Sequence, residues 1–287
     1  MTSLLHTIKT KGIVNTLRRT GMIYRRLSFG RYLRSLNTMV NVLESYEAKA
    51  TLPITAITLQ RHAKELETYI SSDLLEWAMH GYVHVDYTAL SPEVVDEHLK
   101  KGIEIFNEAG IEVQGFRAPY LRVNEGVLSA LEKAGFRYDS SKSYYLDLVP
   151  SERRDVRLIL DYYKPMRTWK MEKNGGITEI PVCLPDDEIM VDRLKYRAEK
   201  VGSVWVDMCR RVIEEGGVPV IQLHPERGQI CAPALEKVLK WASNHDIKSL
   251  HLKDVAALKK STHAIVVTGD VDVVNISDFR YMQESNL

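Results

Sequence analysis

The chain has 287 residues, 45% hydrophobic and 27% charged, a composition that rules out a disordered chain, a collagen-like repeat and a disulfide-stapled miniprotein. The formal net charge of +1 hides an asymmetry: residues 1–43 hold eight Lys and Arg and no acid, so the rest of the chain is net acidic. A nucleic-acid grip by the whole molecule is disfavoured, while a local basic arm is not. Cys183, Cys209 and Cys231 are far apart and form no CxxC, which predicts reduced thiols and neither a disulfide framework nor a cysteine zinc site. Charges interrupt the N-terminal apolar residues every few positions, and no run approaches 18 apolar residues. The expectation is cytoplasmic residence without a secretory leader or a spanning helix. The glycine signatures GxGxxG, GxxxxGK[ST] and GxSxG are missing, and dinucleotide, P-loop and serine-hydrolase chemistry lose their usual markers.

In chain order, residues 3–27 are basic and apolar at loosely helical spacing, broken by Gly12 and Gly21. Residues 32–46, with Leu33, Leu36, Met39, Val40 and Leu43 on one stripe, predict an amphipathic helix. The β-branched residues 53–59 predict a strand, 62–70 a helix, and 74–79 a short apolar run into a loop. A helix follows over 92–109, with Ser91 as N-cap and Gly110 past its end. Then come a strand at 113–117, a helix at 125–134 closed by Gly135, and a strand at 136–138. Residues 142–175 are charged, aromatic and irregular, and predict a long insertion. Beyond it the pattern gives strands at 177–182, 218–223, 247–252 and 263–267. The helices between them are at 201–215, 234–244 and 255–258. This alternation argues for a parallel α/β sheet or barrel. The simplest division is a basic extension, residues 1–30, and one domain, residues 31–287.

Chemistry in such folds gathers where strands end, and four polar clusters lie there. His80 and His84 stand four apart; two neutral imidazoles supply half a tetrahedral metal shell, although HxxxH alone is common. Asp86 beside them would orient a ligand or cap a turn. Arg117 precedes Pro119, whose fixed backbone would let the guanidinium hold a carboxylate in one geometry; read in isolation, an ordinary surface arginine before a turn is the plainer reading. His224 stands where the apolar strand 218–223 stops, placed to act as an acid or base or to be a satisfied buried histidine. Asp270 and Asp272 follow a β-branched strand two residues apart, on one face if the strand continues. Two such acids are costly together unless a cation neutralises them; a polar turn near a frayed end is the plainer reading of them.

Taken jointly over roughly residues 50–258, His80-Gly-Tyr-Val-His84, Arg117-Ala-Pro119-Tyr120, Asp139-Ser-Ser and Leu223-His224-Pro225 resemble the polysaccharide deacetylase superfamily, also called NodB-like or carbohydrate esterase family 4. The resemblance implies an α/β fold, a distorted (β/α)7 barrel that removes acyl groups from carbohydrates with a divalent metal. One departure stands out. The family opens on a strand ending TFDD or FDVD, whereas here no Asp occurs before Asp73. The sequence Val267-Thr-Gly-Asp270-Val-Asp272 has the missing pattern at the other end of the chain. A circular permutation follows as the expectation, with the first barrel strand supplied by the C-terminus, because a closed barrel sets its first and last strands side by side. The competing reading is a non-catalytic relative that lost its Asp motif.

The resemblance then implies a metal held by Asp272, His80 and His84, most simply Zn2+, with Co2+, Ni2+ or Mn2+ as alternatives. It implies Asp270 as the base, Arg117 gripping Asp270 in a bidentate contact, the Tyr120 backbone N–H at the oxyanion, and His224 as the acid for the leaving amine. Asp139 would orient Arg117 or His224. The expected substrate is an N-acylated, chiefly acetylated, sugar or sugar derivative. An amidohydrolase acting on a formamide or small cyclic amide is the alternative. No nucleic-acid partner is expected, and the oligomeric state stays open. Residues 3–34 could make peripheral contact with an anionic membrane at its inner face, which would suit a lipid-linked sugar, or pack as a solvated helix.

Overall fold

The computed structural model describes residues 29–258, 263–275, 277 and 278. The short helices expected in 3–27, and nearly all of the basic extension, lie outside the described residues. Helix α1 (Phe29–Ser45) buries Leu36, Met39, Val40 and Leu43 of the stripe its periodicity announces, with Tyr32 buried beside them and Leu33 only half-buried. Strand β1 (Ala50–Ile54) leads into α2 (Ala56–Ile70), and β2 (Leu75–Met79) follows. Next come α3 (Pro92–Glu108), β3 (Gly115–Phe116), α4 (Glu125–Lys133), β4 (Tyr138–Asp139), β5 (Ser143–Tyr145) and α5 (Arg154–Tyr163). The second half holds β6 (Glu172–Asn174), β7 (Ile177–Glu179), β8 (Val182–Leu184), α6 (Ala198–Glu214), β9 (Val220–Leu223) and α7 (Gly228–Ser243). It ends with β10 (Lys248–Ser249), α8 (Leu252–Ala256) and β11 (Ala264–Gly269).

Hydrogen-bonded neighbours run β5–β8–β9–β11–β1–β2–β3–β4–β7–β6, with β10 added beside β11. Every pair is parallel except β6–β7. Strands β4 and β5 are successive pieces of one kinked run, and β7 and β8 of another. Their two pairings are bridged by Ile180 N–H to the Asp139 carbonyl at 2.8 Å and Val182 N–H to the Lys142 carbonyl at 2.9 Å. Counted as runs, the strands are β11, β1, β2, β3, β4–β5, β7–β8 and β9, and the last pairs with the first. The sheet is a curled (β/α)7 barrel, distorted where β8 meets β9 through the single pair Cys183–Ile221. Strands β1, β2, β9 and β11 are buried along their whole length, as parallel strands covered on both faces must be.

Several boundaries differ from the sequence reading. The β-branched stretch 53–59 is not one strand: β1 ends at Ile54, Thr55 takes an extended N-cap conformation, and α2 starts at Ala56. Its buried positions Ala56, Ile57, Leu59, His62 and Leu66 follow a helical period that the β-branched residues mask. The 142–175 segment is not an irregular insertion, because it contributes β5 to the barrel and α5 beside it. The expected strand 177–182 breaks in two at Pro181. The strand expected over 247–252 shrinks to Lys248–Ser249, since His251 caps α8. The caps Ser91 and Gly110 of α3 are as expected. Among the described residues, no helix is long and apolar enough to cross a membrane.

Candidate active site

The carboxyl ends of the barrel strands carry the predicted residues. His80 directly follows β2, Arg117 follows β3, His224 follows β9, and Asp270 follows β11. His80, His84 and Asp272 offer ligand atoms that all lie within 4.8 Å of one another. His80 Nε2 is 3.3 Å from Asp272 Oδ1, and His84 Nε2 is 3.6 Å from Asp272 Oδ2. The Nδ1 of His80 faces the Arg117 carbonyl oxygen at 2.8 Å. A carbonyl only accepts, so Nδ1 carries the proton and a neutral ring turns the Nε2 lone pair toward Asp272. Asp272 Oδ1 is buried without a hydrogen-bond partner. A lone pair set against an unbonded carboxylate oxygen is repulsive, and a divalent cation between them removes the repulsion. The donor set of two imidazoles and one carboxylate therefore fits such an ion. With no cation between them the imidazoles are instead protonated; burial alone would raise the Asp272 carboxyl, but the charges of His84 and His80 then hold it far below the usual carboxylate range.

Asp270 sits in a different environment. Its Oδ1 accepts from Arg117 Nη1 at 2.6 Å and its Oδ2 from Gln222 Nε2 at 2.6 Å. The contact with Arg117 is single, not bidentate as expected. The guanidinium is divided, because Nε and Nη2 reach the Ser140 carbonyl and hydroxyl at 2.9 and 3.0 Å, and Nη1 also reaches Thr268 Oγ1 at 2.8 Å. The arginine thus ties β3, the turn after β4 and β11 together in a fully buried position.

His224 is held twice by Asp187: its backbone N–H donates to Oδ2 at 2.8 Å, and Nδ1 lies 2.8 Å from Oδ1. Burial would lower the imidazole, but the Asp187 carboxylate outweighs it and drives the value up to about 10. Arg227 donates to Asp187 Oδ2 at 3.3 Å and to Asp192 Oδ2 at 2.5 Å. These charges hold the Asp187 carboxyl below its usual range despite burial.

Asp139 does not orient Arg117 or His224 as expected. It accepts from the Ser141 hydroxyl at 2.5 Å, and that hydroxyl accepts from Ala118 N–H at 2.7 Å. Asp139 therefore fixes the turn that bears Tyr120, where Tyr120 and Leu121 both take positive φ of 63° and 52°, a strained conformation outside glycine. Burial raises the Asp139 carboxyl; burial and Asp139 together raise Glu179 well above its ordinary range. Asp86 caps the turn at Tyr87 by accepting from Thr88 N–H at 3.0 Å and pairs with Arg122 at 3.3 Å. Tyr144 and Tyr145 are buried. Tyr162 lies 6.3 Å from Tyr120, which packs edge-on to His84 at 4.5 Å.

Sequence reasoning missed Gln222, Asp187, Thr55 and Thr58. The two threonine hydroxyls each donate to the Asp272 carbonyl at 3.0 Å. Gln222 could have been found, since it is the lone polar residue in the apolar strand 220–223. Asp187 sits in the run Asp186-Asp187-Glu188 and carries no local signal that one of its acids is buried against a histidine.

A polysaccharide deacetylase family model matches residues 32–138. The peptidoglycan deacetylase-like protein FGM2 of Gibberella zeae is 33% identical over 173 residues, covering 56% of this chain and 48% of that protein. The chain thus spans about half the length of this relative. The solved structure of a polysaccharide deacetylase candidate from Mycobacterium smegmatis is 20% identical with a TM-score of 0.58, covering 89% of this chain and 79% of the other. That of the Puue allantoinase is 18% identical with a TM-score of 0.61, covering 77% and 70%. At these identities the two structures show the shared fold.

Proposed function

We propose that this chain, a member of the NodB-like polysaccharide deacetylase superfamily, is a divalent-metal-dependent hydrolase that removes an N-acetyl group from a sugar or sugar derivative. Deacetylation of carbohydrates is the chemistry of the matched family. The observation that carries the finer reading is the convergence of His80, His84 and Asp272 beside Asp270 and His224, two proton carriers each held by its own hydrogen-bond partners. A cation bound at the triad would lower the pKa of a water and polarise the acyl carbonyl. Asp270, fixed by Arg117 and Gln222, takes a proton from the attacking water as the water oxygen bonds to the acyl carbon. The Tyr120 backbone N–H helps to stabilise the charge on the former carbonyl oxygen. His224, kept cationic by Asp187, gives its proton to the amine nitrogen as the C–N bond breaks, releasing acetate and a free amino sugar.

The chain order is read as permuted. Strand β11, the last among the described residues, lies between β9 and β1, and α1 packs against α7, the place of a helix that would follow β11. Both placements support the view that β11 is the superfamily's displaced first strand.

The test is acetate release from N-acetylated oligosaccharides by full-length protein stripped of metal and reloaded with Zn2+ or Co2+. Metal-restored release supports the proposal. Turnover of formamides or cyclic amides alone would reassign the substrate. Sugar binding with no hydrolysis by the metal-loaded protein would make it a non-catalytic relative.

A further inference from the structure

The segment that carries Asp272 is anchored at both ends on one helix. Upstream, Thr55 and Thr58 hold the Asp272 carbonyl, and Thr55 N–H donates to the Val271 carbonyl at 3.3 Å. Six residues beyond Asp272, the chain turns back at Asp278, whose side chain is fully buried. Asp278 Oδ2 accepts from Val274 N–H at 2.9 Å and Asn275 N–H at 2.8 Å. Its other oxygen faces α2, with Arg61 Nε at 3.2 Å and His62 Nε2 at 3.1 Å. Arg61 Nη2 also donates to Ser277 Oγ at 2.9 Å.

A buried carboxylate with three hydrogen-bond partners, two from its own turn and His62 from a helix, and an ion pair to Arg61 of that helix costs too much to place for a simple loop end unless all four contacts form together. None of these groups belongs to the triad or to the acid and base. The geometry points to Asp278 as a positioning residue: we propose that it latches Val274, Asn275 and Ser277 onto α2 and thereby holds Asp272 opposite His80 and His84 in metal-binding geometry. The inference rests on the metal reading above. Outer partners that fix a ligand commonly change metal affinity by 10- to 100-fold, and a loop end tied at both sides is the backbone form of the same constraint.

The experiment measures Co2+ binding to metal-stripped full-length protein by the visible absorption of the bound ion, with dissociation constants for wild type, Asp272→Ala, Asp278→Ala, Asp278→Asn and His62→Gln. Each is measured at a temperature where melting curves of the metal-free proteins show them folded. The expected result is tight binding by wild type and none by Asp272→Ala. Asp278→Ala raises the dissociation constant roughly tenfold or more and alters the Co2+ spectrum, and Asp278→Asn, which keeps one acceptor oxygen, has a smaller effect. If Asp278→Ala does not fold, Asp278→Asn and His62→Gln carry the test. Folded variants that bind Co2+ with wild-type affinity and spectrum, despite lower melting temperatures, would overturn the latch while leaving the metal reading intact. A wild-type protein that binds no Co2+ would overturn the metal reading itself, and the latch with it.

Discussion

Asp270 and Asp272 are two residues apart and chemically unlike. Asp272 faces two imidazoles with an unbonded oxygen, whereas both oxygens of Asp270 accept strong hydrogen bonds. Asp270→Asn should therefore keep metal and lose turnover, by roughly 10²-fold or more. The fold should survive, because the Gln222 amide can rotate to present its unpartnered Oε1 to the new amide nitrogen. Equilibrium dialysis with Zn2+ beside acetate release separates the two effects. His224 permits a pH prediction. Its imidazole is raised to about 10 by Asp187, and the acid must be protonated to act. Activity should hold through neutral pH and fall as pH rises through the His224 value. Asp187→Asn keeps an acceptor for Nδ1 and removes the charge, so the alkaline limb of kcat/KM should move down by about one unit or more. The pair's contribution to stability has the same sign: it is present below the ordinary imidazole value and lost as pH rises toward 10. An unchanged limb in Asp187→Asn would remove His224 from the acid role.

At the scale of elements, α2 shows where local sequence misleads. Its first turn is Ala-Ile-Thr-Leu, favourable to strand, yet it forms a helix because its N-terminal amides have tertiary partners. Ala56 and Ile57 N–H donate to the Gly81 and Tyr82 carbonyls at 2.9 and 3.0 Å, so the loop bearing His80 and His84 is fixed by the donors that a helix start leaves unpaired. Those acceptors lie some 25 residues away, beyond the reach of periodicity. The HxxxH pair, the Arg-x-Pro turn and the histidine after β9 were legible because each is a short pattern at a strand end. The break of 138–145 and 177–184 into paired halves was not, because it depends on how two runs meet. Gly115 belongs to this scale too. A Cβ there would overlap the Tyr138 ring, whose hydroxyl donates to buried Glu76 at 2.9 Å. Gly115→Ala should destabilise the barrel by about 1–3 kcal/mol, measured as a lower urea midpoint with an unchanged m-value. A midpoint equal to wild type would mean that Tyr138 has room to move.

For the whole molecule, what matters is which strands are neighbours, not the order in which the chain visits them. In the barrel, β11 pairs with both β9 and β1 in parallel, and only the covalent path distinguishes it from a first strand. Its hydrophobic run Ala264–Gly269 is buried throughout, so its burial stabilises the barrel equally from either end of the sequence. Alternation of helix and strand made the α/β class legible, and the C-terminal pair Asp270 and Asp272 made the closing strand legible. Their meeting with His80 and His84 is a three-dimensional fact that sequence order conceals. A rearranged chain, with residues 263–278 joined by a flexible Gly/Ser linker ahead of residue 29 and ending at residue 258, should fold to the same barrel. Its far-ultraviolet circular dichroism and Co2+ affinity should match those of the natural order, with a melting temperature within several degrees. A chain lacking residues 259–287 altogether should leave β1 and β9 as bare edges and aggregate. If the rearranged chain aggregates likewise while the natural order folds, β11 requires its C-terminal position and the permutation reading falls.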